Sequence, residues 1–173
     1  MFEDEFGFSF CEPVATTWAP RGQTPVLKGV GKYRREVSTM VGVTLSGKIY
    51  KRHFGRAVRA DDLIVGLKHF RRHLRRRCIL IWDRSPTHRA KRVQDYLATQ
   101  SDLIVEWLPP YAPDLNPEEY CHGNVKQRLK NWAPEHVAEI RRGIDNGFAR
   151  LRRRRDLLLS FFRHAGLSVN QLW

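Results

Sequence analysis

Three carboxylates stand where a carboxylate needs a reason. Strand alternation puts Asp4 on the face of Phe2, Phe6, Phe8 and Phe10, where it is the one charged group. Burying an unpaired carboxylate costs several kcal/mol. Asp4 therefore meets a cation or has a role, unless a bulge at Gly7 shifts the register and turns it to solvent. Asp83 follows the apolar run Cys78-Ile79-Leu80-Ile81-Trp82, at the strand end where ligands gather in open α/β sheets. Its alternative role is helix capping. Glu119 lies three residues after Asn116, the spacing of a capping box. Glu118 competes with it and aligns better with Cys121, Val125 and Leu129, so helical phase does not choose between them. Three carboxylates on separate segments suit two magnesium ions, which hard oxygen ligands hold while substrate phosphates complete the coordination. Phosphodiester chemistry is the reading that follows.

The elements that must carry these groups are legible from periodicity. Residues 1–11 alternate as a strand, and 36–45 with 49–54 form a hairpin around Ser46-Gly47-Lys48. Leu63, Ile64, Leu67, Phe70 and Leu74 recur at helical spacing over 61–77, with Arg71, Arg72, Arg75, Arg76 and Arg77 mostly on or beyond the other face. The run 78–82 lacks polar alternation, which predicts a parallel strand covered on both faces. Ser85-Pro86 then predicts a helix to about Leu97, followed by a strand over 103–108. Pro109, Pro110 and Pro113 impose an extended loop, and Asn116-Pro117 opens a helix with Cys121, Val125, Leu129 and Trp132 on one side. Residues 134 to about 162 read as helix and include Arg150, Arg152, Arg153, Arg154 and Arg155. The sum is one α/β domain, a mixed sheet with helices on its faces.

Composition narrows the partner. The 173 residues carry 31 Lys and Arg against 18 Asp and Glu, a net charge of +13, which points to a polyanion. The 42% hydrophobic content supports a packed core and excludes a simple basic arm. No apolar run approaches the ~18 residues of a membrane span. The acidic start Met1-Phe2-Glu3-Asp4-Glu5 is unlike a signal peptide, so the cytoplasm is the expected compartment. Cys11, Cys78 and Cys121 are far apart and form no metal-spaced pair. Cys121-His122 reads as packing, as do Trp18 and Tyr111.

Four segments together carry a resemblance. They are Phe2-Glu3-Asp4-Glu5-Phe6-Gly7-Phe8, Thr17-Trp18-Ala19-Pro20-Arg21-Gly22-Gln23-Thr24-Pro25, Ile81-Trp82-Asp83-Arg84-Ser85-Pro86-Thr87-His88, and Leu108-Pro109-Pro110-Tyr111-Ala112-Pro113-Asp114-Leu115-Asn116-Pro117-Glu118-Glu119. In this order, with residues 84–118 separating the last two acids, the chain resembles the catalytic domain of mariner-like DDE transposases, especially the bacterial six-thirty insertion-sequence branch.

The resemblance implies a ribonuclease-H-like α/β fold, with a mixed five-stranded sheet and helices on both faces. Its first and fourth strands would lie side by side, bringing Asp4 and Asp83 together. The family motif Asn, Pro, any residue, Glu assigns Glu119 as the third acid and leaves Glu118 in the variable position. Two departures are that Glu118 is charged and that His122 stands where a tryptophan is usual. His88 matches a histidine common in the family. Its alternative is to help the helix start, and it and Asn116 are candidate active-site neighbours.

The implied activity is Mg²⁺-dependent DNA strand cleavage and strand transfer, with Mn²⁺ able to substitute. One ion held by Asp4 and Asp83 would activate water, and a second shared with Glu119 would stabilise the departing 3′ oxygen, after which the freed 3′ hydroxyl attacks target DNA. Partners would be transposon ends, target DNA, a separate amino-terminal recognition module and a second protomer, at a prokaryotic nucleoid. The expected organisation is a single catalytic domain over 1–173, with 133–173 a helical carboxy-terminal extension and the helix-turn-helix module absent. The arginines over 71–77 and 150–155 would track phosphates, or else are a solvated surface. Rival readings are an inactive DNA-binding remnant and a ribonuclease-H-like host nuclease, the latter disfavoured by the 18–25 and 116–119 segments.

Overall fold

The computed structural model describes residues 1–10, 15–26, 36–74 and 76–170. Arg75 and Cys11 lie outside these residues. Five strands form one mixed sheet in the order β3-β2-β1-β4-β5. Strand β1 is Phe2–Ser9, β2 Glu36–Val43, β3 Ile49–Phe54, β4 Cys78–Trp82 and β5 Leu103–Trp107. The helices are α1 Ala60–Leu74, α2 Lys91–Ala98, α3 Pro117–Arg128, α4 Val137–Arg153 and α5 Arg155–His164. Among the described residues no helix is long and apolar enough to cross a membrane.

β1 pairs antiparallel with β2 residue for residue, from Phe2 opposite Val43 to Phe8 opposite Val37. The unbroken register rules out a bulge at Gly7 and leaves Asp4 on the Phe2, Phe6, Phe8 face. On its other edge β1 runs parallel to β4, with Phe2 opposite Ile81, and β4 runs parallel to β5. The hairpin between β2 and β3 closes where Gly47, at φ 73°, takes a left-handed conformation that suits glycine.

Apolar side chains on the two sheet faces build two cores. Phe2, Phe6, Phe8, Val37 and Val41 meet Cys121 and Val125 of α3, Ile140, Ile144 and Phe148 of α4, and Leu158 and Phe162 of α5. Met40, Leu80 and Trp82 on the other face meet Leu63, Leu67 and Phe70 of α1 and Val93 and Leu97 of α2. α4 approaches α3 closely through Gly147, where an added Cβ would lie 2.7 Å from Val125.

Four sequence expectations are corrected. The first helix stops at Leu74, so Arg76 and Arg77 follow it. β4 is not covered along both faces, since Ile79 is 52% exposed beside the edge strand β5. The segment after Asp83 makes a turn before α2 begins at Lys91. Ser85 Oγ accepts from His88 N at 3.2 Å, as a cap does, but the extended Ala90 (ψ 136°) interrupts the helix and Gln94 Nε2 donates to the His88 carbonyl at 2.8 Å. Residues 134–162 are two helices broken at Arg154 (ψ 70°). That turn brings Phe162 back against Phe2, with ring centroids 5.9 Å apart.

Candidate active site

The centre of β1, the end of β4 and the start of α3 meet at one end of the sheet. Glu5 N donates to Asp4 Oδ1 at 2.7 Å and Asn116 Nδ2 donates to Asp4 Oδ2 at 3.1 Å. Asn116 is buried, and its Oδ1 accepts from Glu118 N at 3.1 Å. One side chain thus caps α3 and ties it to β1, while Pro117 fills the first helical position, where a missing N–H costs nothing. Asp83 leaves β4 directly and accepts from Ser85 N at 3.0 Å. Asp4, Asp83, Asn116 and Glu119 line a single cavity of about 570 Å³, with Arg84 and Arg89 on its wall and the Pro109–Pro113 loop across it. Neither arginine stood out in the sequence, because isolated basic residues are ordinary in so basic a chain.

The two glutamates of α3 separate by orientation. Glu118 is fully buried and accepts from His122 Nδ1 at 2.8 Å, whereas Glu119 is 36% exposed at its side chain and reaches the cavity. The capping box does not form. The backbone N–H of Asn116 donates to Pro113 O at 2.9 Å, and the Glu119 carboxylate instead takes His122 Nε2 at 3.0 Å.

His122 is the residue that sequence reasoning missed. It bridges both glutamates from i+4 and i+3 and stacks on Phe6 with centroids 5.1 Å apart. Burial opposes its charge, but Glu118 and Glu119 outweigh burial and hold it protonated above the ordinary imidazole range. The helical spacing of the three residues was the available signal.

His88 is likewise buried and doubly engaged. Its Nδ1 meets Asp83 Oδ1 and, at 3.2 Å, the Asp83 carbonyl, while Nε2 lies 3.1 Å from both oxygens of Glu5. The ring stacks 3.9 Å from Trp82. Burial lowers its pKa, yet the hydrogen bonds to Asp83 and Glu5 carry it to about 9. His88 does not line the cavity; it holds the turn and touches Asp83 from outside the cavity.

The electrostatics divide the three acids. Burial first, then Glu118, Glu119 and Glu5, push Asp4 up to about 8. The His88 hydrogen bond holds Asp83 below the ordinary carboxylate range, and the His122 hydrogen bond does the same for Glu119. Crowded carboxylate oxygens, one of them reluctant to ionise, are the donor set a hard divalent cation relieves.

The arginine runs are unequal. Arg71 is held by Asp102 at 2.6 Å and by Gln100, Arg152 by the Ile49 carbonyl, and Arg154 by Asp156 at 2.8 Å. Arg150 is half-buried, while Arg72, Arg76, Arg77, Arg153 and Arg155 are exposed.

Residues 1–141 match the family profile described as DDE superfamily endonuclease. The chain belongs to that family. This DDE-family chain shares its fold with Mos1 transposase. In the Mos1 paired-end complex with the left transposon end the TM-score is 0.70 at 22% identity, over 95% of this chain and 50% of Mos1. The Mos1 mariner paired-end complex with Mn gives 0.71 at 20% identity, over 95% and 53%. The isolated Mos1 catalytic domain gives 0.61 at 18% identity, over 98% and 83%. The DDE-family chain thus spans about half of the Mos1 chain in those complexes. No curated protein matches its sequence.

Proposed function

We propose that the chain is the catalytic domain of a DDE transposase, cutting DNA at transposon ends and joining it to target DNA. The observation that carries this reading is the convergence of Asp4, Asp83 and Glu119, from three distant segments, on one cavity of a DDE-family chain. Two Mg²⁺ ions, or Mn²⁺ in their place, would be held by these three carboxylates and would supply charge neutralisation and Lewis acidity at the scissile phosphate. The protein's own part is positional. Asn116 fixes Asp4 against α3, His88 fixes Asp83, and His122 fixes Glu119. Arg84 and Arg89 face the cavity as phosphate contacts. A recognition module and a second protomer would complete the transposase, acting in the cytoplasm where DNA is accessible. Cleavage of pre-cut and uncut duplex with Mg²⁺ or Mn²⁺ tests the reading. No cleavage with either ion, by chain that binds DNA, would overturn it in favour of an inactive remnant.

The raised Asp4 makes metal binding pH-dependent. With its pKa at about 8, Asp4 keeps a proton at neutral pH, and a cation requires the carboxylate, so binding expels that proton. Apparent affinity is expected to rise with pH, by up to about tenfold per unit below the Asp4 pKa, and to level off above it. Calorimetry in two buffers of different ionisation heat at one pH checks this. Equal heats in both would mean that no proton leaves.

Phosphate tracking is expected from the exposed arginines. Reversing the charge of Arg72, Arg76 and Arg77 should weaken DNA binding and reduce the slope of log affinity against log salt by roughly 0.9 for each phosphate no longer neutralised. Arg71 and Arg154, already paired with Asp102 and Asp156, should matter less. Anisotropy titrations across a salt series decide it, and unchanged slopes would make this face solvated surface only.

A further inference from the structure

On the face of β1 opposite Asp4, Glu3 is fully buried, and among the described residues neither of its carboxylate oxygens has a hydrogen-bond partner. Such a group costs several kcal/mol unless something neutralises it. The charges that raise its pKa most are those of Glu5, Asp4 and Glu118, all acidic. The Trp82 indole N–H faces it without forming a well-aligned hydrogen bond. Two residues along the strand, Glu5 points the same way, and His88 Nε2 comes in from the turn after β4. One ligand atom from each of Glu3, Glu5 and His88 lies within 4.8 Å of the others.

We propose that Glu3, Glu5 and His88 form a second cation site, separate from the three carboxylates of the cavity and selective for a divalent transition metal of the Zn²⁺ or Mn²⁺ class. The chemistry of the donors sets that class. Mg²⁺ takes oxygen ligands and keeps its waters, whereas an imidazole nitrogen among carboxylates suits Mn²⁺ and Zn²⁺. His88 is also prepared as a ligand. Its Nδ1 meets the Asp83 carboxylate, the carboxylate–histidine arrangement that orients the ring, and on binding the ion takes the place of the proton that Nε2 shares with Glu5, which is released to solvent. Two carboxylates and a neutral imidazole around a divalent ion carry no net charge, which removes the penalty on Glu3. The ion would stand behind Asp83, so one histidine joins it to the cavity, and the partly exposed Glu5 offers the way in.

Mn²⁺ is the probe. In the 173-residue chain carrying D4N and E119Q, which lacks two of the three cavity carboxylates, Mn²⁺ is expected to remain bound. Pulsed EPR should then show hyperfine coupling to a directly bound imidazole nitrogen. A large excess of Mg²⁺ should leave that signal in place, and adding E3Q should abolish both the binding and the coupling. E3Q replaces an unpartnered buried carboxylate with a neutral group of the same shape, so its fold can be checked by circular dichroism. The unmutated chain provides a measurement independent of any variant, because the coupling should appear there too. Absence of nitrogen coupling in the unmutated chain, or Mn²⁺ binding unaltered by E3Q, overturns the site and leaves Glu3 holding a proton instead.

Discussion

Glu119→Gln is expected to lower strand cleavage by about 10³-fold or more, while Glu118→Gln in the adjacent position leaves it within about tenfold of the parent. The cavity geometry sets this contrast. Glu119 opens onto the space lined by Asp4 and Asp83, so under the proposed function its charge would act where phosphate charge develops, whereas Glu118 is sealed in the core against His122. Metal-borne stabilisation of a transition state is worth several kcal/mol, and each ~1.4 kcal/mol is tenfold in rate, which gives the size of the first effect. The amide oxygen introduced by Glu118→Gln still accepts the His122 N–H, so the second variant loses only the difference between a charged and a neutral acceptor, ~1 kcal/mol. Single-turnover cleavage of a pre-nicked duplex, with DNA binding followed in parallel, separates chemistry from affinity. Parental cleavage by Glu119→Gln, or an equal loss in a folded Glu118→Gln, would remove Glu119 from the metal-holding role.

That contrast marks how far the sequence could be read. β4 is legible because an unbroken apolar run of five residues ending in Asp83 is too short for a buried helix and too apolar for a loop. The hairpin is legible because Gly47 sits where its turn needs it. Helical phase aligned Glu118 better with Cys121, Val125 and Leu129 and so could not single out Glu119. What separates them is His122, whose two nitrogens take one glutamate each. The i+4 and i+3 spacing of His122 allows both contacts, but which glutamate is left facing the cavity shows only once α3 is laid against Phe6. Glu3 was hidden for a related reason. Alternation puts it opposite the phenylalanines, which reads as a solvated face, and only the assembled fold buries it, beside Trp82, Glu5 and His88. The four-segment resemblance placed Asp4 beside Asp83, because which strands become neighbours is a property of topology and not of local periodicity.

The helices after residue 133 show the same limit from the other side, and Phe148→Ala measures it. Their periodicity is plain, but nothing local says whether they stand apart or complete the core. In the fold, Phe148 is fully buried with its ring centroid 6.0 Å from Phe6, and Phe6 in turn stacks on His122. Truncating it should cost ~3–5 kcal/mol through lost burial and the cavity left behind, a large part of the ~5–15 kcal/mol that holds a typical domain together. Urea unfolding should show a lower midpoint with an unchanged slope, the sign of lost stability without altered compactness. Because the void opens beneath Phe6, the His122 bridge to Glu119 should loosen too, and metal affinity should fall under conditions where the variant is still folded. A loss below ~1 kcal/mol would mean that α4 packs on the sheet as a dispensable layer. The family match ends at residue 141, before Ile144, Phe148, Leu151, Leu158 and Phe162. The same packing therefore requires that a chain cut at residue 141 lose much of the wall against which Phe2 and Phe6 are buried, and so destabilise the strand that carries Asp4.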